Sequence, residues 1–363
     1  MRVLFVTHNA PRSAGDAPGS FVLRLAVALR ARGVEVSILA PHAPGLAERE
    51  LLEGVAIERI RYAADADETL AYTGTMAQQV ASSWRARIAL IGLLRALRRA
   101  VAARATSVDV IHAHWWFPAG LAAAFTARAG RPLVVTLHGS DVRLARGAVA
   151  RRLFRAVAAR SARITAASSW LADEAQRLTG ARRPEVTQLP IDTTLFRPGD
   201  GTRDGLLFVG RLNAQKGLHI LIDALPRIDP ALGALTVVGD GPDAAALRAQ
   251  AAARGVADRV RWLGALPQQD LVAWYQRTRV VILPAAEPEG LGLVAVEARY
   301  CGAAVVASDL GGLVDVAGDA PHAALVPPRD PIALAAAVNA VASVPASADG
   351  SGRLVAFAPT ESA

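Results

Sequence analysis

Two cations, Arg211 and Lys216, stand in the segment Gly210-Arg211-Leu-Asn-Ala-Gln-Lys216-Gly217, directly after the apolar run Leu206 to Val209. The residues that follow carry an apolar stripe at Leu218, Leu221, Ile222 and Leu225, the spacing of one helix face. Lys216 therefore sits where a strand hands over to a helix. A cation there opposes the helix dipole at a cost of about 0.3–1 kcal/mol, and that cost is removed when an anion binds among Arg211, Lys216 and the open first-turn amides. Lys216 is also the one lysine among 40 cationic residues. Diphosphate binding is the chemistry these residue types suit; the plainer reading is two solvated surface cations.

A second constellation, Glu289-Gly290-Leu291-Gly292-Leu293-Val-Ala-Val-Glu297, follows the apolar run Val280 to Leu283 and the loop Pro284 to Pro288. Carboxylates repel phosphates but accept paired hydrogen bonds from vicinal hydroxyls, so Glu289 and Glu297 beside a basic cradle suit a ligand with sugars at both ends of a diphosphate. Gly290 and Gly292 allow close backbone approach and, with Leu291 and Leu293, place amides at a helix start. A nucleotide sugar has this pattern. The structural alternative is a helix-start acid and a salt-bridged core acid.

Other signals are weaker. Gly239-Asp-Gly241-Pro-Asp-Ala244 matches the dinucleotide pattern G-x-G-x-x-A, yet the next apolar run ends in Gly264-Ala-Leu-Pro without the acid a cofactor ribose needs. His112 and His114 alternate on a strand and point the same way, but no acid or thiol at ligand spacing completes a metal set. Asp65-Ala-Asp67 mimics the acidic pair of metal-dependent transferases but reads as a polar loop with no preceding strand. No metal and no cofactor are expected.

The elements that must position these residues are legible. Val3 to Thr7 reads as a strand, Asn9 to Gly19 as a Gly/Pro loop, Val22, Leu25, Ala26 and Leu29 as a helix face, and Val34 to Leu39 as the next strand. Strands at Val108 to His112 and Leu133 to Leu137 continue the first half. A second set has strands Leu206 to Val209, Leu235 to Val238, Val260 to Leu263 and Val280 to Leu283, with helices over 217–225 and 243–253. The class is α/β: two Rossmann-like, doubly wound parallel-sheet domains facing a central cleft, with function in the loops after the strands. The expected organisation is an N-terminal domain over 1–188, a linker over 189–202 around Pro190 and Pro198, a C-terminal domain over 203–342, and a disordered tail over 343–363 that is rich in Ala, Ser, Gly and Pro.

Composition bounds the class further. With 363 residues, 52% hydrophobic and 20% charged, the chain can bury two cores and is not a disordered protein. One cysteine, Cys301, excludes an internal disulfide framework, and the short apolar stretch after Met1 falls short of a signal-peptide core, so a cytoplasmic location is expected. Charge is uneven: residues 1–190 hold 26 Arg against 14 acids (net +12), and residues 191–363 are net −4. Seven arginines and no acid lie between Val142 and Ile164, interleaved with Leu153, Phe154 and Val157. Such a face suits an anionic membrane surface, at up to about 1 kcal/mol per residue, as well as it suits solvent. Nucleic acid is not expected as a partner, because aromatics do not interleave with the basic patch.

The combination of G-R-x4-K-G and E-x7-E in tandem Rossmann-like domains resembles the retaining glycosyltransferases of family 4, which have the GT-B fold. Pro11-Arg-Ser-Ala-Gly15-Asp-Ala-Pro-Gly19, Ile111-His-Ala-His-Trp, Thr136-Leu-His138-Gly-Ser-Asp141, Ile191-Asp-Thr-Thr-Leu-Phe-Arg-Pro and Gly311-Gly312 extend the resemblance across most of the chain. It implies Arg211 and Lys216 on the donor diphosphate, Glu289 on the transferred sugar, Glu297 on the ribose and His138 near the reacting sugar. It also implies that Gly19 lets the first loop close on the phosphates and that Gly210 and the Gly290 to Leu293 backbone line the donor. The implied partners are a UDP- or GDP-linked sugar and a glycan, lipid-linked or other envelope acceptor; a place on the inner face of the membrane is what the arginine-rich half, not the resemblance, suits. An epimerase or phosphorylase of the same fold, or a non-catalytic anionic-surface binding protein, are the alternatives. One departure is visible: the family's long C-terminal crossover helix has no counterpart beyond about Val341.

Overall fold

The computed structural model describes residues 1–13, 16, 19–72, 76–126, 130–187, 189–318 and 322–343. The expected tail beyond Ser343, and Gly15, Ala17 and Pro18 of the first glycine loop, lie outside the described residues. The chain divides into two compact units, with the boundary between Pro190 and Ile191.

The first unit is built on an eight-stranded sheet: β1 (Arg2–Val6), β2 (Glu35–Pro41), β3 (Arg49–Leu52), β4 (Val55–Ile60), β5 (Val110–His114), β6 (Leu133–Leu137), β7 (Arg163–Ala166) and β8 (Glu185–Val186). Their order is β3-β4-β2-β1-β5-β6-β7-β8, parallel except for the β3/β4 pair. Strand β1 lies between β2 and β5, with Leu4 opposite Ser37 on one side and Ile111 on the other. Its residues are near-continuous apolar because helices cover both faces, and Phe5, Val22, Ile38, Ile57 and Trp115 form one cluster of the core. Strand β5 starts two residues later than expected, because Ser107 closes a turn on Arg104 and Asp109 accepts the Arg2 amide at 2.7 Å. His112 and His114 are thereby carried to the strand's carboxyl end. The hairpin of β3 and β4, absent from the sequence reading, turns through Glu53 and Gly54, both at positive φ, the geometry of a two-residue hairpin loop.

The second unit holds β9 (Leu206–Val209), β10 (Leu235–Val238), β11 (Val260–Gly264), β12 (Val280–Leu283), β13 (Ala304–Ser308) and β14 (Ala323–Val326). They form one sheet in the order β11-β10-β9-β12-β13-β14, every pair parallel. Leu206, Phe208, Leu221, Val237, Ile282 and Val306 meet in its core, joined by Leu334 and Val338 of the helix Pro331–Ser343. The segment expected as a linker is packed rather than free. Phe196 is buried at 6.2 Å from the Tyr275 ring, and Gln276 Nε2 donates to the Arg197 carbonyl at 2.9 Å, so residues 191–202 join the second unit.

In each sheet the order reverses at one place, between β1 and β5 and between β9 and β12. Loops leaving the carboxyl ends of two such strands diverge to opposite faces, which opens a crevice between them. The chemistry-bearing residues lie there.

Candidate active site

Loop 210–217 leaves β9 and runs into a single 3-10 turn, Ala214–Lys216, capped by Asn213, whose Oδ1 accepts the Lys216 amide at 3.2 Å. Gly217 follows with φ +71°, and the helix Leu218–Ala224 begins. A Cβ at Gly217 would lie 1.8 Å from the Pro284 carbonyl oxygen, so only glycine lets this loop touch the loop leaving β12. Ala286 then donates its amide to the Gln215 carbonyl at 2.9 Å, and Gln215 Nε2 donates to Glu287 at 3.1 Å. These bonds bring the two sequence constellations to one point. Lys216 Nζ donates to Glu289 Oε1 at 2.8 Å, with both side chains partly exposed. The aliphatic stem of Lys216 lies over Gly210, where a Cβ would sit 3.6 Å from its Cδ. Arg211 is exposed on the same loop.

The backbone of the second constellation is clamped by the loop after β13. Gly312 donates its amide to the Glu289 carbonyl at 2.9 Å. A Cβ at Gly311 would fall 2.5 Å from the Glu289 carbonyl oxygen, and one at Gly312 would fall 2.4 Å from that of Gly290. Leu291 is buried, and Gly292, beneath Leu313, starts the helix Leu293–Tyr300, its carbonyl accepting the Ala295 amide at 2.9 Å. Glu297 lies one turn into that helix and is buried. It accepts from Gln268 Nε2 at 2.7 Å and from Tyr275 Oη at 2.9 Å. Burial first, and then the Glu297 charge, hold the Tyr275 phenol well above its usual range, so it stays a donor. Neither partner was legible in the sequence, since both come from the helix Gln268–Arg277, with no motif of their own.

The dinucleotide-like turn after β10 resolves differently. Cβ atoms at Gly239 and Gly241 would lie 1.9 Å from the Gly210 carbonyl oxygen and 2.3 Å from that of Leu212. The space over these glycines is filled by the loop after β9, so their role is close backbone packing that shapes the 210–217 loop.

In the first unit, Gly19 starts the helix Ser20–Arg30 at φ +75°, and a Cβ there would meet the Asn9 carbonyl oxygen at 2.7 Å. Glycine there lets the helix start pack on the loop after β1. His138 follows β6, and its Nε2 shares a hydrogen bond with His114 Nδ1 at 3.1 Å. His112 stacks on His114 at 4.4 Å between ring centroids and bonds Thr136 Oγ1 at 2.7 Å. Burial lowers the pKa of His8 and of His112 to about 4. It pulls His114 and His138 well down too, helped by neighbouring histidines. All four are neutral at pH 7. Asp141, almost wholly buried, orders this edge: it accepts the amides of His138, Gly139, Val142 and Trp116 at 3.0–3.2 Å. Burial raises its pKa while those bonds lower it, the burial being the larger effect. His8 and Trp115 share the edge at 4.4 Å between centroids. His8 follows a parallel strand's carboxyl end as His138 does, and that position is the signal that could have singled it out.

Two further expectations change. Asp65–Asp67 is a 3-10 turn that does follow a strand, β4. Among the described residues, the His/Cys/Asp/Glu group whose ligand atoms converge is His42, Asp65 and Glu68, within 4.8 Å of one another. Arg61 pairs with Asp65 and lies 3.9 Å from Glu68, while both His42 nitrogens face acceptors, Glu68 and the Leu46 carbonyl. In the arginine-rich stretch, Phe154 and Val157 face the core, so they give no apolar patch for a membrane. Arg160 stacks on Phe125 at 4.5 Å, Arg163 pairs with Glu185 at 2.5 Å, and Arg151 caps the Arg146 carbonyl at 3.0 Å. Among the described residues no helix is long and apolar enough to cross a membrane.

Comparison with known proteins agrees with this geometry. Residues 19–195 match the model of Glycosyltransferase Family 4, and residues 197–349 match that of Glycosyl transferases group 1. The chain is 32% identical over 371 residues to a glycogen synthase of Mycobacterium tuberculosis, covering 96% of this chain and 87% of that protein. It is 32% identical over 377 residues to a D-inositol 3-phosphate glycosyltransferase of Kribbella flavida, covering 93% and 86%. Among solved structures, Anabaena Alr3699/HepE in complex with UDP-glucose superposes with a TM-score of 0.72 at 22% identity, covering 99% of this chain and 96% of that one. With two parallel α/β units of the GT-B type and near full-length similarity to such enzymes, the chain belongs to glycosyltransferase family 4, the glycosyl transferases group 1.

Proposed function

We propose that this glycosyltransferase moves a sugar from a nucleoside-diphosphate sugar to a hydroxyl of an envelope glycoconjugate acceptor, with retention of anomeric configuration and without a metal. The observation that carries the reading is the Lys216–Glu289 pair at the β9/β12 edge, a cation and a carboxylate held 2.8 Å apart by interlocked glycine loops. A diphosphate that reaches Nζ lies beside a carboxylate able to accept from sugar hydroxyls. Arg211 and Lys216 then carry the charge that grows on the leaving phosphate as the glycosidic bond breaks, in place of a metal ion. The amides from Gly290 to Leu293 face the same diphosphate, Glu297 takes the ribose hydroxyls, and the leaving phosphate accepts the acceptor proton. His138, neutral at pH 7, donates or accepts a hydrogen bond beside the reacting sugar. UDP is the first donor to test, because the HepE neighbour holds UDP-glucose. Work at a cytoplasmic membrane face fits the arginine-rich first unit.

The test is Lys216→Ala, assayed for UDP, GDP and ADP binding by thermal stabilisation and for sugar transfer, each with and without a chelator. Turnover is expected to fall about a hundredfold or more, the cost of removing one stabiliser of developing charge, with a much smaller loss in nucleotide affinity. Equal losses in both would remove Lys216 from the transition state, and chelator-sensitive transfer restored by a divalent ion would overturn the metal-free reading.

A further inference from the structure

The first unit contains a cavity of about 430 Å³ beside His8, Trp115, Ser140 and Asp141, at the same strand-end edge as His138. Its wall is aliphatic and aromatic: Leu70, Met76, Val80, Leu90, Phe117 and Leu144. Polar residues also line it: His8, Asn9, Tyr72, Ser140 and Asp141. Two are already engaged there, Tyr72 Oη donating to the Pro41 carbonyl at 2.6 Å and Ser140 Oγ accepting from Trp115 Nε1 at 3.1 Å. Two of these residues also have a buried polar atom with no partner, His8 Nδ1 and Asn9 Oδ1. Leaving such atoms unbonded costs about 1–3 kcal/mol each, which a ligand hydroxyl would recover.

From this we infer that the pocket holds the apolar chain of an amphiphilic acceptor, an alkyl or isoprenoid glycolipid whose hydroxyl head meets His8 and Asn9. The inference rests on the glycosyltransferase reading and narrows its acceptor from glycans and lipids to lipids. A free glucan or an inositol phosphate would leave the Leu, Met and Val wall in contact with water or with hydroxyls, and either discards the burial of that surface. The approach has matching chemistry. The helix Trp84–Arg104, which supplies Leu90, leaves Trp84, Ile88 and Ile91 exposed along one face at i, i+4 and i+7, flanked by Arg85 and Arg87. An exposed apolar stripe bordered by cations is the surface an amphiphile crosses when it leaves an anionic lipid layer.

The experiment measures calorimetric binding of n-hexyl to n-decyl β-D-glucopyranosides below their micelle concentrations to the whole chain, with maltotriose as the chainless control. Saturable one-to-one binding is expected, tightening about fourfold per added methylene until the cavity is full. Val80→Trp, which fills the cavity from a half-buried position, should weaken the octyl glucoside at least tenfold. Leu144→Gln, at an exposed rim position, should weaken it severalfold. Both variants should keep the wild-type thermal stabilisation by UDP, so a lost nucleotide response marks failure of the donor reading and a lost chain-length response marks failure of the pocket. Binding without chain-length dependence, unaltered affinity in Val80→Trp, or maltotriose matching octyl glucoside would each overturn the inference.

Discussion

Replacing Gly217 by alanine tests whether the site is assembled by loop contact. Two costs can be worked from the geometry. The residue sits at φ +71°, where a Cβ costs about 1–2 kcal/mol in any surroundings. The same Cβ would also lie 1.8 Å from the Pro284 oxygen, 2.8 Å from its carbonyl carbon and 3.3 Å from the Ala286 amide nitrogen. That contact is impossible, so the loops must part. Overpacking of this kind costs about 1–3 kcal/mol, and loss of the Ala286 to Gln215 hydrogen bond adds about 1 kcal/mol. The expected total is about 3–6 kcal/mol in urea unfolding. Gly255 supplies the control within the same unit: its φ is +68° and nothing lies within 4 Å of its Cβ position. Gly255→Ala should therefore cost only the backbone part, about 1–2 kcal/mol. Because Pro284 begins the loop that carries Glu289, UDP affinity should fall at least tenfold in Gly217→Ala and stay unchanged in Gly255→Ala. If the two variants lose equal stability within about 0.5 kcal/mol and both bind UDP normally, the argument that loop contact builds the site is wrong.

The remaining expectations address Glu297 and the histidine edge. Tyr275→Phe removes a buried donor to Glu297, so urea unfolding should show a loss of about 1.5–3 kcal/mol, and a severalfold drop in UDP affinity is expected if that carboxylate holds the ribose. Unchanged values of both would separate Glu297 from the site. His8 and His112 have folded pKa values depressed to about 4, so their stabilising contribution is whole above the unfolded value near 6.5 and is lost as pH falls from there towards 4. Each should reduce stability by up to about 1.4 kcal/mol per pH unit in that window. Unfolding measured between pH 7 and 5 should show this slope and show it flattened in His112→Asn; a flat wild-type profile would mean the cluster is open to solvent.

Much of the β9/β12 edge was legible because its signals are local. In a parallel α/β unit a buried strand is a short apolar run, the following helix has a 3.6-residue stripe, and functional residues occupy the loop between them. Leu206 to Val209, Lys216 and the Leu218, Leu221, Ile222 stripe satisfy all three, as do Val280 to Leu283 and Glu289. The β3/β4 hairpin was also written locally, in Glu53-Gly54, but its four-residue first strand alternates weakly, with exposed Arg49 and Leu51. Strands β13 and β14 carry the loop with Gly311 and Gly312, yet nothing nearby says which backbone those glycines will touch.

The sequence by itself determined the α/β class, the residue types of the β9/β12 loops and the family, since each depends on residue identity and short-range periodicity. Tertiary structure alone decided which groups meet. The partners are separated by 73 residues for Lys216 and Glu289, 22 for Tyr275 and Glu297, and 24 for His114 and His138. It alone showed that the glycines of the dinucleotide-like turn are filled by the chain's own backbone, and that Phe154 and Val157 belong to a core. It also formed the apolar cavity from five separate stretches of the first unit. Such pairings depend on strand order in the sheet, which is set by burial summed over the whole unit rather than by any segment's own preference.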